Sequence, residues 1–195
     1  MLLPMTPDTH NITILPEITP NPNSLRFMLD RKILDQGTVE MKDATQAPRS
    51  PLAQKLFQLD EVRSVFLGPD FVTVTARNGI NWEVLAPRVI ETLRAHLAAG
   101  ETILHGPPDA AAPETDPGGH SEVEQGIIRL IEEEIRPAVA MDGGDVVFAG
   151  YRDGVVMLQL RGACAGCPSA TMTLKMGIER RLKEEFPEIV SVEPV

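Results

Sequence analysis

Two cysteines are the only thiols in this chain of 195 residues, and they stand close together as Cys164 and Cys167. Two thiols three positions apart can close a small redox disulfide, or they can supply half of the ligands of a zinc or iron–sulfur centre. Such a centre normally takes four protein ligands, and one copy of the chain offers two thiolates. The pair therefore predicts either a dithiol redox site or a metal centre that a second copy of the chain completes.

The residues around the pair favour the metal centre. Residues 161–169 lie between a predicted strand and a predicted helix, and Pro168 suits the first helical turn. We therefore expect Cys167 near the helix N-cap, where the unpaired amides and the helix dipole stabilise a thiolate. Small neighbours would let a bulky inorganic core approach the backbone amides. These neighbours are Gly162, Ala163, Ala165 and Gly166.

The alternatives to a cluster stay open on the residues alone. A single-chain zinc site is disfavoured because no histidine has zinc-finger spacing relative to the cysteines. The histidines are His10, His96, His105 and His120. A thioredoxin-like dithiol site is disfavoured because Trp82, the single tryptophan, is far from the pair in sequence and no parallel βαβ scaffold is expected. A zinc-bridged dimer and a dithiol–disulfide oxidoreductase remain the competing hypotheses.

Composition and charge limit the classes of partner. Apolar residues make up 43% and charged residues 24% of the chain, which is ordinary for folded domains. The formal net charge of −10 argues against nucleic acid or an anionic membrane surface, because phosphate binding needs clustered lysine and arginine. The sequence has no apolar run of about 18 residues, so no membrane-spanning helix is expected.

The first residues predict a reducing compartment. Residues 1–7 lack the basic end and long apolar stretch of a secretory signal, and they are not arginine-rich like a transit peptide. We therefore expect the cytoplasm, or the matrix of an organelle if a transit peptide has been removed. In either place a lone cysteine pair is more typical of reactive or metal-binding thiols than of a structural disulfide.

A segment rich in proline and glycine divides the chain. Residues 106–120 lack the spaced large apolar residues that bury a face, which predicts an exposed, flexible linker. We expect an amino-terminal domain over residues 1–105 and a carboxy-terminal domain over residues 121–195, free to move relative to each other. The amino-terminal domain carries no cluster of nucleophiles, bases or metal ligands, so recognition of client proteins is its expected role.

Apolar periodicity predicts an α+β fold of two small domains that must position the cysteines. The amino-terminal domain has predicted strands at 11–15, 24–28, 39–41, 62–67 and 71–76, a helix at 51–59 capped by Ser50, and a longer helix ending at Gly100. The carboxy-terminal domain has the predicted order helix, strand, strand, helix, strand. Ser121 is expected to cap its first helix, and Pro137 to end or kink that helix.

Two features close to the cysteines have plain structural interpretations. Residues 142–145 read Asp-Gly-Gly-Asp, and two carboxylates are too few for Ca²⁺, so this segment predicts a turn with glycine at positive φ. Met172 and Met176 can form a soft partner surface, but packing in the core or in a dimer interface is the favoured interpretation.

Residues 122–195 resemble the NifU-like carboxy-terminal domain of the Nfu iron–sulfur carrier family. The resemblance is carried by residues 135–137 (Ile-Arg-Pro), 141–145 and 160–169, the last containing both cysteines. Residues from about 10 to 98 resemble the Nfu amino-terminal domain through residues 19–27 and the helix start at 81–83. The central ferredoxin-like cysteines of full-length NifU and the three-cysteine pattern of the U-type assembly scaffold are absent.

The resemblance implies a function and a site. It implies a homodimer that shares one cluster, usually 4Fe–4S with 2Fe–2S as the alternative, held by Cys164 and Cys167 of both subunits. The expected partners are upstream cluster donors and apo iron–sulfur client proteins, which receive the cluster. The expected protein is a carrier in cluster assembly with no catalytic residue, and neither nucleic acid nor a membrane is an expected partner.

Overall fold

The computed structural model describes residues 12–108, 121–165 and 168–195, and it has two small α+β domains as predicted. Each domain is built around its own sheet. The amino-terminal sheet has five strands and the carboxy-terminal sheet has three. Most of the predicted linker, residues 109–120, lies outside the described residues.

The amino-terminal sheet is antiparallel, with the strand order β1-β2-β5-β4-β3. Its strands are β1 (Ile14–Ile18), β2 (Ser24–Leu29), β3 (Val39–Met41), β4 (Val62–Leu67) and β5 (Phe71–Ala76), and its helices are α1 (Pro51–Leu56) and α2 (Trp82–Ala98). Alternate strand residues such as Phe27, Val72 and Val74 form one core with Leu85 and Leu93 of α2. The two helices therefore cover one face of this sheet.

The predicted elements of this domain are present, with shifted ends. Strand β1 begins at Ile14, three residues later than predicted. Ser50 caps α1 as expected, since its hydroxyl accepts a hydrogen bond from the backbone N–H of Ala53 at 3.1 Å. The long helix is followed by Gly100 in the left-handed region, with φ of 64°.

The carboxy-terminal domain follows the predicted order, with its first helical region in three parts. The elements are α3 (Glu122–Leu130), a π-helical segment (Ile131–Ile135), α4 (Arg136–Met141), β6 (Gly144–Arg152), β7 (Val155–Gly162), α5 (Pro168–Glu185) and β8 (Ser191–Pro194). Ser121 caps α3 in a reciprocal capping box with Glu124. The core joins Ile127 and Ile131 to Leu158 and Leu182.

Pro137 does not end this helical region. The backbone N–H of Arg136 bonds to the carbonyl of Ile131, five residues back, so a π-turn precedes the proline. Pro137 then lies in the first turn of α4, where its missing amide hydrogen interrupts the regular ladder least. The region therefore continues to Met141, which brings α4 up to the turn that precedes β6.

The expectation of no parallel βαβ unit was wrong. Strands β6 and β7 form the predicted hairpin, whose turn places Asp153 and Gly154 at φ of 51° and 80°. Strand β8, however, pairs with β7 in parallel, and α5 is the crossover between them. The cysteine loop is the connection from β7 into this crossover helix.

Among the described residues, no helix is both long and apolar enough to cross a membrane.

Candidate functional site

The cysteine loop leaves β7 at Gly162 and enters α5 at Pro168, as the sequence predicts. Gly162 has φ of 63°, a left-handed conformation that turns the chain off the strand. Two backbone bonds fix the turn, from the amide of Ala163 to the carbonyl of Gly143 and from the amide of Ala165 to that of Gly162, each at 3.1 Å. Cys164 is described, whereas Gly166 and Cys167 lie outside the described residues.

The predicted turn at residues 142–145 lies directly against this loop. Gly143 has φ of 76°, which confirms the expected left-handed glycine. A Cβ on Gly144 would lie 2.5 Å from the sulfur of Cys164 and 2.8 Å from the carbonyl oxygen of Arg161. The absence of a side chain at Gly144 therefore makes the room in which the Cys164 thiol sits.

Cys164 is buried in this conformation. Its side chain belongs to the carboxy-terminal core and the residue is 6% exposed. Burial, followed by the negative charges of Asp142 and Asp145, raises the pKa of Cys164 to about 12. Burial therefore disfavours the thiolate of Cys164 in this conformation. The stabilised thiolate was predicted for Cys167 at the helix N-cap, and that residue lies outside the described residues.

A buried ion pair involves Asp145, the last residue of the same turn. Asp145 is 3% exposed, and its two carboxylate oxygens accept hydrogen bonds from the Nε and Nη2 atoms of Arg136 at 2.8 and 2.9 Å. Burial alone would lower the pKa of Arg136, but the hydrogen bonds and charge of Asp145 outweigh it and raise that pKa further above neutrality. The pair joins α4 to the start of β6. Sequence reasoning treated Asp145 only as a turn residue, and its place in a strand of buried residues was the available signal.

The amino-terminal domain contacts both loops of the site, which the sequence analysis did not foresee. Its side chains bond to the turn at 141–145 and to residues 162–163. The bonds are Arg26 Nη1 to the Met141 carbonyl at 2.9 Å, Thr73 Oγ1 to the Gly143 carbonyl at 2.8 Å, Thr38 Oγ1 to Asp145 Oδ2 at 2.8 Å, the Gly162 amide to Glu40 Oε1 at 2.9 Å, and Asn21 Nδ2 to the Ala163 carbonyl at 3.1 Å. The structure thus places the two domains in contact across the cysteine loop.

Two methionines near the site are exposed. Met172 and Met176 on α5 are 59% and 65% exposed, so they do not pack in the core, which was one of the two predicted placements. Burial in a dimer interface remains a prediction for both. Met141, at the end of α4, is also exposed.

The described histidines are not gathered near the cysteine loop. His96 is buried in the amino-terminal domain, where its Nε2 lies 3.2 Å from the carbonyl of Thr102. His10 and His120 lie outside the described residues. Over residues 12–108, 121–165 and 168–195, no three histidine, cysteine or acidic side chains come together as a metal site.

Comparison with known proteins gives a match in each domain. Residues 14–100 match the family model described as "Scaffold protein Nfu/NifU N terminal", and residues 127–193 match the "NifU-like domain" model. Both cysteines and the 142–145 turn lie inside the second match.

Curated relatives match across both domains. The chain is 42% identical over 180 residues to the human protein named "NFU1 iron-sulfur cluster scaffold homolog, mitochondrial", covering 91% of this chain and 69% of that one. It is 38% identical over 193 residues to the protein of the same name from Drosophila ananassae, covering 95% of this chain and 65% of that one. The chain thus spans about two thirds of the length of these relatives.

Among solved structures, a NifU-like protein from Saccharomyces cerevisiae is 28% identical, with a TM-score of 0.46. That match covers 53% of this chain and 92% of the yeast chain.

Proposed function

The chain belongs to the Nfu family of iron–sulfur cluster scaffold proteins, and from this premise we propose that it holds a cluster between two copies of itself and transfers it to apo-proteins. The observation that carries the proposal is the Cys164–Cys167 pair. It lies inside the NifU-like match, and the chain has no other cysteine. A 4Fe–4S cluster with one thiolate on each iron then requires both cysteines from two subunits.

The ligands must lose protons before they bind iron. Burial raises the pKa of Cys164 in the described conformation, so coordination to an iron atom must displace the thiol proton. We propose that the Cys164 sulfur turns out of the core toward the second subunit when the cluster forms.

Transfer follows by exchange of ligands. A client thiol gives up its proton and forms an iron–sulfur bond as the bond from iron to Cys164 or Cys167 breaks. The released thiolate of the carrier then takes up a proton. Repeated at each iron, this exchange moves the cluster with its charge and oxidation state unchanged, so the step calls for no oxidant or reductant. The names of the relatives place those proteins in mitochondria, and for this chain we propose an organellar matrix or the cytoplasm.

The redox alternative is less well supported. Attack on a disulfide requires a thiolate. Burial holds the pKa of Cys164 at about 12, so this residue is a poor attacking thiol in the described conformation. A disulfide exchange activity would have to rest on Cys167.

Anaerobic reconstitution with iron and sulfide tests the proposal. The protein should turn brown, dimerise, and hold about two iron atoms per chain if the cluster is a shared 4Fe–4S centre. Cys164→Ala and Cys167→Ala should each abolish cluster uptake, whereas Thr92→Ala on the remote helix α2 should not. A colourless dimer that retains zinc, or a reversible intrachain disulfide without iron uptake, would contradict it.

A further inference from the structure

The amino-terminal sheet has a second face, which α1 and α2 do not cover. Strand residues alternate in direction, so the neighbours of the core residues point the other way. We call this the outer face and define it by Arg26, Glu40, Phe66, Phe71 and Thr73. An antiparallel sheet of this kind commonly leaves one face to water, and such a face is then polar.

The outer face is neither polar throughout nor open to water. Phe66 and Phe71 are each 2% exposed and Thr73 is 1% exposed. Neither ring belongs to the core of either domain, and their centroids lie 6.0 Å apart. The guanidinium of Arg26 lies over the Phe71 ring at 4.7 Å. Two buried phenylalanines outside both cores indicate an interface.

The two glycine-bearing loops of the site form part of the surface that covers this face. A Cβ on Gly162 would lie 3.0 Å from Cδ1 of Phe66, and one on Gly143 would lie 2.8 Å from Oγ1 of Thr73. The outer face therefore contacts the backbone at Gly143 and Gly162 so closely that a side chain at either position would require the neighbouring atoms to shift.

Hydrogen bonding across the contact is matched to backbone groups of the loops. The hydroxyl of Thr73 donates a hydrogen bond to the carbonyl of Gly143, and the carboxylate of Glu40 accepts one from the amide of Gly162. Asn21, at the rim of the face, is 2% exposed and donates to the carbonyl of Ala163. Burying a polar group without a hydrogen-bond partner costs free energy, so these hydrogen bonds favour the two loops over another occupant of the outer face.

We propose that the outer face is a binding surface for the chain's own cysteine loop, which it holds in the buried-thiol conformation until a cluster forms. The contacts fix the amide of Gly162 and the carbonyl of Ala163, the two residues before Cys164. A thiolate shared with a second subunit must leave the core, so this backbone must be released. The release step rests on the proposed function, whereas the docking of the cluster-free protein does not.

Hydrogen exchange of the full chain, prepared without iron, tests the docking. Phe66→Ser removes a ring from the outer face, and Glu40→Ala removes the acceptor of the Gly162 amide. We expect exchange in residues 160–165 to quicken about tenfold in each variant, and the radius of gyration from small-angle scattering to rise. Thr92→Ala, on the opposite side of the sheet, is the matched control and should change neither quantity.

Trp82 fluorescence reports whether the amino-terminal domain of each variant is folded. Glu40→Ala, which leaves both cores intact, keeps the test decisive if Phe66→Ser unfolds. Unchanged exchange and an unchanged radius in a folded variant would refute the docking. Protection that grows with protein concentration would also refute it, since the contact would then join two copies.

The release is tested on protein loaded with iron and sulfide and shown by its spectrum to hold a cluster. Residues 64–74, the segment that carries Phe66, Phe71 and Thr73 of the outer face, should exchange faster than in the cluster-free protein. Unchanged protection in the loaded protein would refute the release step while the docking result stands. Failure to load any cluster would instead refute the proposed function, and with it the release.

Discussion

At the scale of single residues, Gly144 decides whether Cys164 can occupy its place. Gly144→Ala would put a Cβ 2.5 Å from the thiol sulfur and 2.8 Å from the carbonyl of Arg161, so the loop must shift. We expect a loss of roughly 1–3 kcal/mol in the free energy of unfolding of the carboxy-terminal domain. Thermal unfolding followed by circular dichroism measures it.

Gly177→Ala is the matched control for Gly144→Ala. A Cβ at Gly177, inside α5, would meet nothing within 4 Å. Alanine in a helix interior is favoured over glycine by about 1 kcal/mol, so this variant should be neutral or more stable. Equal melting temperatures for the two variants would show that the space beside Gly144 does not contribute to the stability of the carboxy-terminal domain.

His96 makes the stability of the amino-terminal domain depend on pH. Burial, with a smaller contribution from the charge of Lys55, lowers the pKa of His96 below its ordinary 6.5. Below that pH the unfolded chain takes up a proton that the folded domain does not. The contribution of His96 to the free energy of unfolding is therefore fully present above pH 6.5, and it is lost as the pH falls through the folded-state pKa of His96.

The measurement is the urea midpoint of Trp82 fluorescence at several pH values between about 7.5 and 5. The midpoint should fall with decreasing pH in the unchanged chain, and His96→Gln should fall less steeply because its side chain does not titrate. His105→Gln replaces an exposed histidine and is the control. An equally steep fall of the urea midpoint in His96→Gln would show that another titrating group causes the pH dependence.

At the scale of elements, the ion pair between Arg136 and Asp145 ties α4 to β6. Arg136→Ala would leave a carboxylate that is 3% exposed without its cation. We expect the carboxy-terminal domain to lose about 3 kcal/mol, since breaking a buried pair leaves an uncompensated charge. Thermal unfolding is again the measurement. Arg180→Ala removes an arginine that is 83% exposed, and a comparable loss there would contradict the argument.

Elements were predictable where a local signal determined them. Hydroxyl caps at Ser50 and Ser121 and the turn at Gly154 act within a few residues, and strands β4 and β5 were predicted with their observed ends. The π-turn before Pro137 was missed because a proline signals a break without saying how the helix accommodates it. The parallel pairing of β8 was missed because it is set by the packing of α5 rather than by the sequence of the strand.

For the candidate site, the sequence identified the loop but not the state of the thiol. Residue types and spacing predict a cysteine loop between a strand and a helix, which is observed around Cys164. The burial of Cys164 depends on the turn at 142–145, whose approach to the loop is a tertiary contact. The place of Asp145 among apolar strand residues was a sequence signal of its burial, but its partner Arg136 became evident only in the folded structure.

At the scale of the whole molecule, the contact between the domains predicts coupled unfolding. Trp82 lies in the amino-terminal domain and reports on that domain alone. Arg136→Ala in the other domain should still lower the urea midpoint of Trp82 fluorescence, because docked domains stabilise each other. Combining it with Phe66→Ser should remove this effect. An unshifted Trp82 midpoint in Arg136→Ala would mean that the domains unfold independently.

The long sequence separation of the interdomain bonds has a consequence for the chain during its synthesis. Asn21 and Ala163 are 142 positions apart, and Thr73 and Gly143 are 70 apart. The amino-terminal domain can fold once α2 has left the ribosome, but the surface that covers Phe66 and Phe71 has not yet been translated. At about 5–20 residues per second, the nascent chain presents these rings to the cell for several seconds. During that interval the unfinished protein is a candidate client for a chaperone.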